Sequence, residues 1–245
     1  MTAVAALLWL SNGLTGTWAQ SPPKEIEYAF PQPSIWTTKL DPKGEPDNPL
    51  LPFVAALFEQ AEIPWHAKSY PTPRMFENLQ NGVSEFALLV NAPSLQQCCL
   101  VGTHAVATAE VRAYWRPSNL PIRSITDLVG KDVITISGYS YASLMSFIKD
   151  PTNRINNHSA KSHDSAFAML EMGRADYVID YDGPATETLA AHPIAGIGYQ
   201  VIDHLDVYLV LARSYPNAAA VMEKLESIAS RLRTDGMRQT GKLRP

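Results

Sequence analysis

The segment SEFALLVN at residues 84–91 is apolar at almost every interior position, not at every second one. A strand with one covered face alternates apolar and polar residues. A continuous apolar run marks a strand covered on both faces, as in parallel sheets flanked by helices. The segments around it fit such a sheet. KEIEYAF (24–30) alternates and predicts a strand, and IPWHAKSY (63–70) predicts another. LLPFVAALFEQAE (50–62) places Phe53, Ala56, Leu57, Gln60 and Ala61 at helical spacing. TPRMFENLQNG (72–82) opens on Thr and Pro and closes on Gly, the signals of a helix start and stop. Between the first strand and first helix, residues 31–49 carry five prolines and a glycine and predict a loop. The unit reads β-α-β-α-β.

The remaining chain repeats the alternation with its own punctuation. HAVATAEVRAYWR (104–116) has strand-like stretches. SITDLVG (124–130) predicts a short helix, with Ser124 and Asp127 spaced as a capping box. KDVITISG (131–138) predicts a strand and YASLMSFI (141–148) a helix. SHDSAFAMLEMGRA (162–175) predicts a helix, DYVIDYDG (176–183) a strand and ATETLAA (185–191) a short helix. DVYLVLARS (206–214) is a strong strand. Residues 217–243 form a helix with Val221, Leu225, Ile228 and Leu232 on one face, expected to end at Gly236. Strands alternating with helices predict an α/β fold with mainly parallel sheets.

Composition removes several classes of function. A net charge of −4 offers no basic face for a nucleic-acid partner. The six histidines (66, 104, 158, 163, 192 and 204) show no metal-ligand spacing with each other or with the cysteines, so neither a metal nor a cofactor is expected. At the N-terminus, AVAALLWL (3–10) is followed by small residues at Thr17 and Ala19, a pattern expected of a secretory signal over 1–19, cut before Gln20. No Lys or Arg precedes the apolar run, and a buried N-terminal helix is the other reading. Eight apolar residues fall short of the roughly 20 that span a bilayer. The mature chain is expected in an oxidising compartment, the periplasm.

Three stretches together resemble the family 3 periplasmic solute-binding proteins, the amino-acid-type receptors of ABC importers. They are PRMFENLQNGVSEFALL (73–89), SITDLVGKDVITISGYSY (124–141) and AFAMLEMGRADYVIDYDGPA (166–185). DLVGKDV and LEMGRADYVI are the specific parts, and the likeness runs over about residues 25–243. It implies two α/β lobes with mainly parallel sheets, joined by two crossover strands that close like jaws on a small polar solute. Lobe 1 is expected over 24–112 and 205–245, and lobe 2 over 113–204. The implied protein is a non-catalytic monomer that hands its solute to the membrane permease of an ABC importer. An enzyme on the same fold, similar to periplasmic cyclohexadienyl dehydratases with Asp180, Asp182 or Glu85 as general acid, is an alternative. A ligand-sensing partner of a membrane sensor is another.

The resemblance also nominates ligand residues. Ser140 falls on the family's hydroxyl position in SGYSY (137–141), which donates to a ligand carboxylate; a plain helix N-cap is the other reading. Gly138 permits close backbone approach, and Tyr139 and Tyr141 either wall the cleft or pack. The family's amino-group-binding Asp falls by count on Tyr181, with Asp180 and Asp182 on either side, and Asp182 is preferred. Trp36 and Phe30 either stack on a ligand or belong to the core. In NAPSLQQCC (91–99), Gln97 stands near the family's carboxylate-gripping Arg, which puts an ordinary amino-acid ligand in question. Arg112 and Arg74 are the possible substitutes.

Gln97 is followed by Cys98 and Cys99, the chain's two cysteines. Adjacent Cα atoms lie about 3.8 Å apart, below the usual disulfide range of roughly 4.4–6.8 Å. The expectation is therefore two reduced, buried thiols at a strand start, one on each face. A vicinal disulfide is the alternative. Either way, the doublet is expected near the cleft.

Overall fold

The computed structural model describes residues 23–240, except 33, 43, 45, 46, 140, 142 and 143. The segment read as a secretory signal and the nominated Ser140 lie outside the described residues.

The elements follow in order: β1 (Ile26–Gln32), α1 (Leu51–Ala61), β2 (Trp65–Pro71), α2 (Thr72–Gln80), β3 (Phe86–Val90), β4 (Cys99–Val101), β5 (Ala107–Trp115), β6 (Asp132–Ile136), α3 (Leu144–Lys149), β7 (Asn156–Ala160), α4 (His163–Glu171), β8 (Tyr177–Tyr181), α5 (Asp182–Ala191), β9 (Gly198–Ala212) and α6 (Ala218–Thr240). Short 3₁₀ turns lie at Pro93–Leu95, Ile125–Leu128 and Pro151–Asn153. The strands form a sheet in the order β2-β1-β3-β9-β5-β8-β6-β7, with β4 also on β9. Pairs β1–β2, β1–β3, β6–β7 and β6–β8 are parallel. The long strands β5 and β9 run antiparallel to each other and to their flanking neighbours. They are the two crossovers joining two α/β lobes.

The apolar run at 84–91 is explained by this layering. Phe86 and Leu88 pack with Tyr28, Phe58 and Leu225 under α1 and α6. Ala87 and Leu89 point the other way, to Met75 and Leu79 of α2. Burying such a side chain is worth about 1.5–3 kcal/mol relative to exposure, and both faces contribute here. The other lobe packs Val133, Ile134, Val178 and Ile179 against Leu144, Phe167 and Leu170. Local signals hold at helix starts: Ser162 caps α4 by accepting from Ser165 N, and Ser124 and Asp127 form the expected capping box.

Several elements differ from expectation. The helix expected over 141–148 begins at Leu144. Strand β7 is polar, with sequence NNHSA, because it pairs only with β6 at the sheet edge and has little to bury. Strand β9 starts at Gly198, eight positions before the apolar segment, because its first half crosses between lobes and is held by pairing with β5. Helix α6 runs through Gly236 to Thr240, since one glycine costs an exposed helix only about 1 kcal/mol. Among the described residues, no helix is long and apolar enough to cross a membrane.

Candidate functional site

The cavity between the lobes is built from strand ends. β1 delivers Phe30, and the loop after it delivers Ser34 and Trp36; β3 ends in Leu88, Leu89 and Val90. From the opposite lobe, the chain leaves β6 and turns at Gly138, whose φ of 90° suits glycine, so that Tyr139 faces the gap. β8 delivers Tyr181. Together they enclose about 100 Å³. The aromatic share is large: Tyr28, Phe30, Trp36, Phe76, Tyr139 and Tyr181 all line it. Among the described residues, no Asp, Glu, Lys, Arg or His lines it.

Tyr139 is the cavity end of a buried polar chain. The Asp180 side chain is fully buried, and its Oδ2 lies 2.7 Å from His163 Nδ1. His163 Nε2 lies 3.1 Å from Tyr139 Oη, which donates to Ser34 O across the cleft at 2.6 Å. A phenol has one proton. With Tyr139 donating to Ser34, His163 Nε2 must be the donor to Tyr139, and the remaining proton is shared by His163 Nδ1 and Asp180. Burial pushes the Asp180 carboxyl up, partly offset by His163 and the Tyr181 N–H. Burial also pushes Tyr139 up, so it stays a protonated donor.

A second contact spans the cleft. Glu187 of α5 accepts from Thr38 N at 2.7 Å and from the Thr37 and Thr38 hydroxyls at 2.8 Å, with Lys39 Nζ at 3.7 Å. Gly183, one turn earlier, lets the Trp36 backbone approach α5. Burial raises the Glu187 carboxyl, but these donors outweigh it and hold it below the ordinary glutamate range. A carboxyl held lower in the clasp than in a free chain stabilises the clasp above its ordinary range, and this is lost as pH falls through the lowered native value. The lobes are therefore expected to separate on acidification below about pH 4, near the ordinary glutamate value, and Glu187→Gln to abolish that step. Small-angle scattering against pH reads both; an acid transition unchanged in the variant would sink the assignment.

Of the nominated residues, Phe30, Trp36, Gly138 and Tyr139 line the cavity. The other nominated residues among those described lie off its wall. Tyr141 is fully buried in the core, accepting from Ile136 N and donating to Ile179 O. Asp180 faces His163. Asp182 is not at a strand end but is the first residue of α5; it accepts from Glu110 N at 3.1 Å. Gln97 is exposed. Arg112 is held by Glu110 and stacks on Tyr199, Arg74 is exposed beside Glu77, and Glu85 is ion-paired with Lys24.

The cysteine expectation is reversed: Cys98 and Cys99 are joined in a disulfide. Placing one thiol on each face required both residues in a strand. Cys98 instead lies in the turn before β4, and only Cys99 pairs with Ala212. The doublet is not on the cavity wall, although buried Cys99 packs in the cluster that holds Met75, a wall residue.

Sequence reasoning missed Tyr181, His163, Glu187 and Gly183. For Tyr181 a signal existed: the count by resemblance lands on it, and strand alternation sends it opposite to Asp180. His163 and Glu187 lie in helices whose pattern only says that they are polar.

No family model and no curated protein matches the chain. Solved structures do. An ancestral arginine-binding protein bound to glutamine is similar at 15% identity and TM-score 0.66, covering 89% of this chain and 98% of the other. A histidine kinase sensor domain with similarity to periplasmic binding proteins is similar at 12% and 0.69, covering 90% and 95%. A probable amino-acid ABC transporter extracellular-binding protein from Bacillus subtilis is similar at 16% and 0.65, covering 87% and 94%. These likenesses show the fold, which is that of type II periplasmic binding proteins.

Proposed function

We propose that this chain is a periplasmic solute-binding protein that captures a small solute between its lobes and delivers it, as a monomer, to the permease of an ABC importer. In this reading lobe 1 comprises 24–112 and 205–245, lobe 2 comprises 113–204, and a signal over 1–19 is removed on export. The observation that carries it is the cavity itself, walled from both lobes and spanned by the Tyr139–Ser34 and Glu187–Thr37/Thr38 contacts. Bonds that cross a cleft close it around whatever fills it, and closure excludes water from each polar contact. The acids named for an enzymatic role, Asp180, Asp182 and Glu85, are off the wall and engaged elsewhere.

The test is a thermal-shift screen of the purified protein against amino acids, organic acids, amines, short peptides and neutral aromatics, followed by small-angle scattering with each hit. A saturable rise in Tm with a more compact particle is expected. No hit in any class would refute the capture role. A second reading, supported by the likeness to a kinase sensor domain, makes the closed form the partner of a membrane sensor. Stimulation of a reconstituted cognate permease's ATPase activity by the loaded protein separates the two.

A further inference from the structure

The charge on the cavity wall narrows the ligand beyond the capture role, on which this inference rests. A zwitterionic amino acid brings a carboxylate and an ammonium into the cleft. Each must be met by a charge or by several hydrogen bonds when water leaves, or burial is strongly unfavourable. Among the described residues the wall supplies no charge, and its few polar groups each bond to the protein, leaving the Ser34 hydroxyl proton and one Asn48 N–H as neutral donors. Asn48 donates to Tyr28 Oη at 2.9 Å and accepts from Leu50 N at 3.0 Å. Thr72 donates to Gln32 O, and Ser34 Oγ accepts from Trp36 N. Tyr139 donates to Ser34 O.

Two phenols on the wall also keep a proton. Tyr28 Oη accepts from Asn48, and Tyr181 Oη shows no acceptor for its proton among the described residues. Each thus keeps its own proton for another acceptor. Burial pushes Tyr28 up to about 12 and raises Tyr181 as well, so both stay donors at neutral pH. The rest of the wall is aromatic and aliphatic.

We propose that the cavity takes a small uncharged molecule with a flat, aromatic body and one or two hydrogen-bond acceptors, and rejects α-amino acids. Rings on the wall stack on the body, and Tyr28 and Tyr181 donate to its acceptors. The cavity of about 100 Å³ is partly open and of the same order as the roughly 150 Å³ that encloses benzene, so a body of about one ring is expected. A quaternary ammonium also binds aromatic faces. It offers no acceptor for the two phenols, and the nearby Asp180 is spent on His163.

The test is calorimetric titration of the purified protein with phenol and benzamide, against arginine, glutamine, glutamate and choline. Saturable 1:1 binding of a neutral ring is expected, with none of the charged solutes binding within 100-fold of its affinity. Tyr181→Phe is expected to weaken the ring's binding about 5- to 10-fold, and Trp36→Ala more than 10-fold. Tyr181→Phe keeps the ring, and thermal melts confirm that both variants are folded. Tighter binding of an amino acid or choline overturns this inference and leaves the capture role standing. Binding by neither class also overturns it; native mass spectrometry of protein from its host, finding a charged solute, would then preserve the capture role alone.

Discussion

A Gly183→Ala protein is expected to fold and to lose its closed form. A Cβ at this position would stand 2.1 Å from Trp36 O and 2.8 Å from Trp36 C. Both are backbone atoms, so no side-chain rotation relieves the clash. The loop after β1 must retreat from α5. That retreat draws Trp36 off the cavity and stretches the bonds from Thr37 and Thr38 to Glu187. Overpacking of this kind costs about 1–3 kcal/mol, and the clash falls on the interface between lobes, not within either core. The cost is therefore expected to appear as weaker ligand binding, about 10- to 100-fold, with little change in Tm of the ligand-free protein. Titration of any screening hit against wild type and variant measures it. Unchanged affinity would show that Trp36 and α5 do not meet in the bound state.

His163→Ala is expected to cost the most stability. Asp180 is fully buried, and His163 is its side-chain partner. Removing one member of a buried charged pair typically costs about 3–5 kcal/mol, because the other is left uncompensated. The pH dependence gives the mechanism away. Burial already raises the Asp180 carboxyl, and without His163 nothing but the Tyr181 N–H opposes it. The titratable groups facing it are the phenols of Tyr114, Tyr139, Tyr141 and Tyr181, all raised by burial and neutral. A carboxyl whose native pKa lies above its ordinary value of about 3.9 contributes fully below that value and loses the contribution as pH rises through the native one. The variant is therefore expected to melt at lower temperature at pH 7.5 than at pH 5, by several degrees. Adding Asp180→Asn should flatten the dependence. A single variant with a pH-independent loss would remove the charge from the explanation. Loss of the His163–Tyr139 bond also leaves Tyr139 less firmly held against Ser34 and should weaken closure, which scattering reads separately.

How much of this was legible in the sequence differs between fold and site. Phe86–Val90 announced a strand covered on both faces because burial leaves no polar position, and α2 and α1/α6 do cover it. The capping box at Ser124 and Asp127 was readable because a cap is local. β7 was not readable, because an edge strand without a buried face carries no apolar signature.

The site was legible only in part. Phe30, Trp36, Gly138 and Tyr139, nominated with the family resemblance, do line the cavity. At β8 the choice fell on the acids beside Tyr181, and a one-residue step along a strand exchanges the two faces. Asp182, moreover, is already helical.

The sequence by itself determined the α/β layering and most of the element order, while the two lobes and the cleft between them were expected from the family resemblance. The layering follows from apolar periodicity and local caps, which act between residues close in the chain. Tertiary structure alone decided which groups face the cavity, that Asp180 is spent on His163, and that Glu187 reaches back 149 positions to Thr38. It also closed the sulfurs of Cys98 and Cys99 into a bond, because the turn before β4 withdraws Cys98 from the strand. Such contacts depend on where two distant backbones are held, and no pattern along one segment carries that distance.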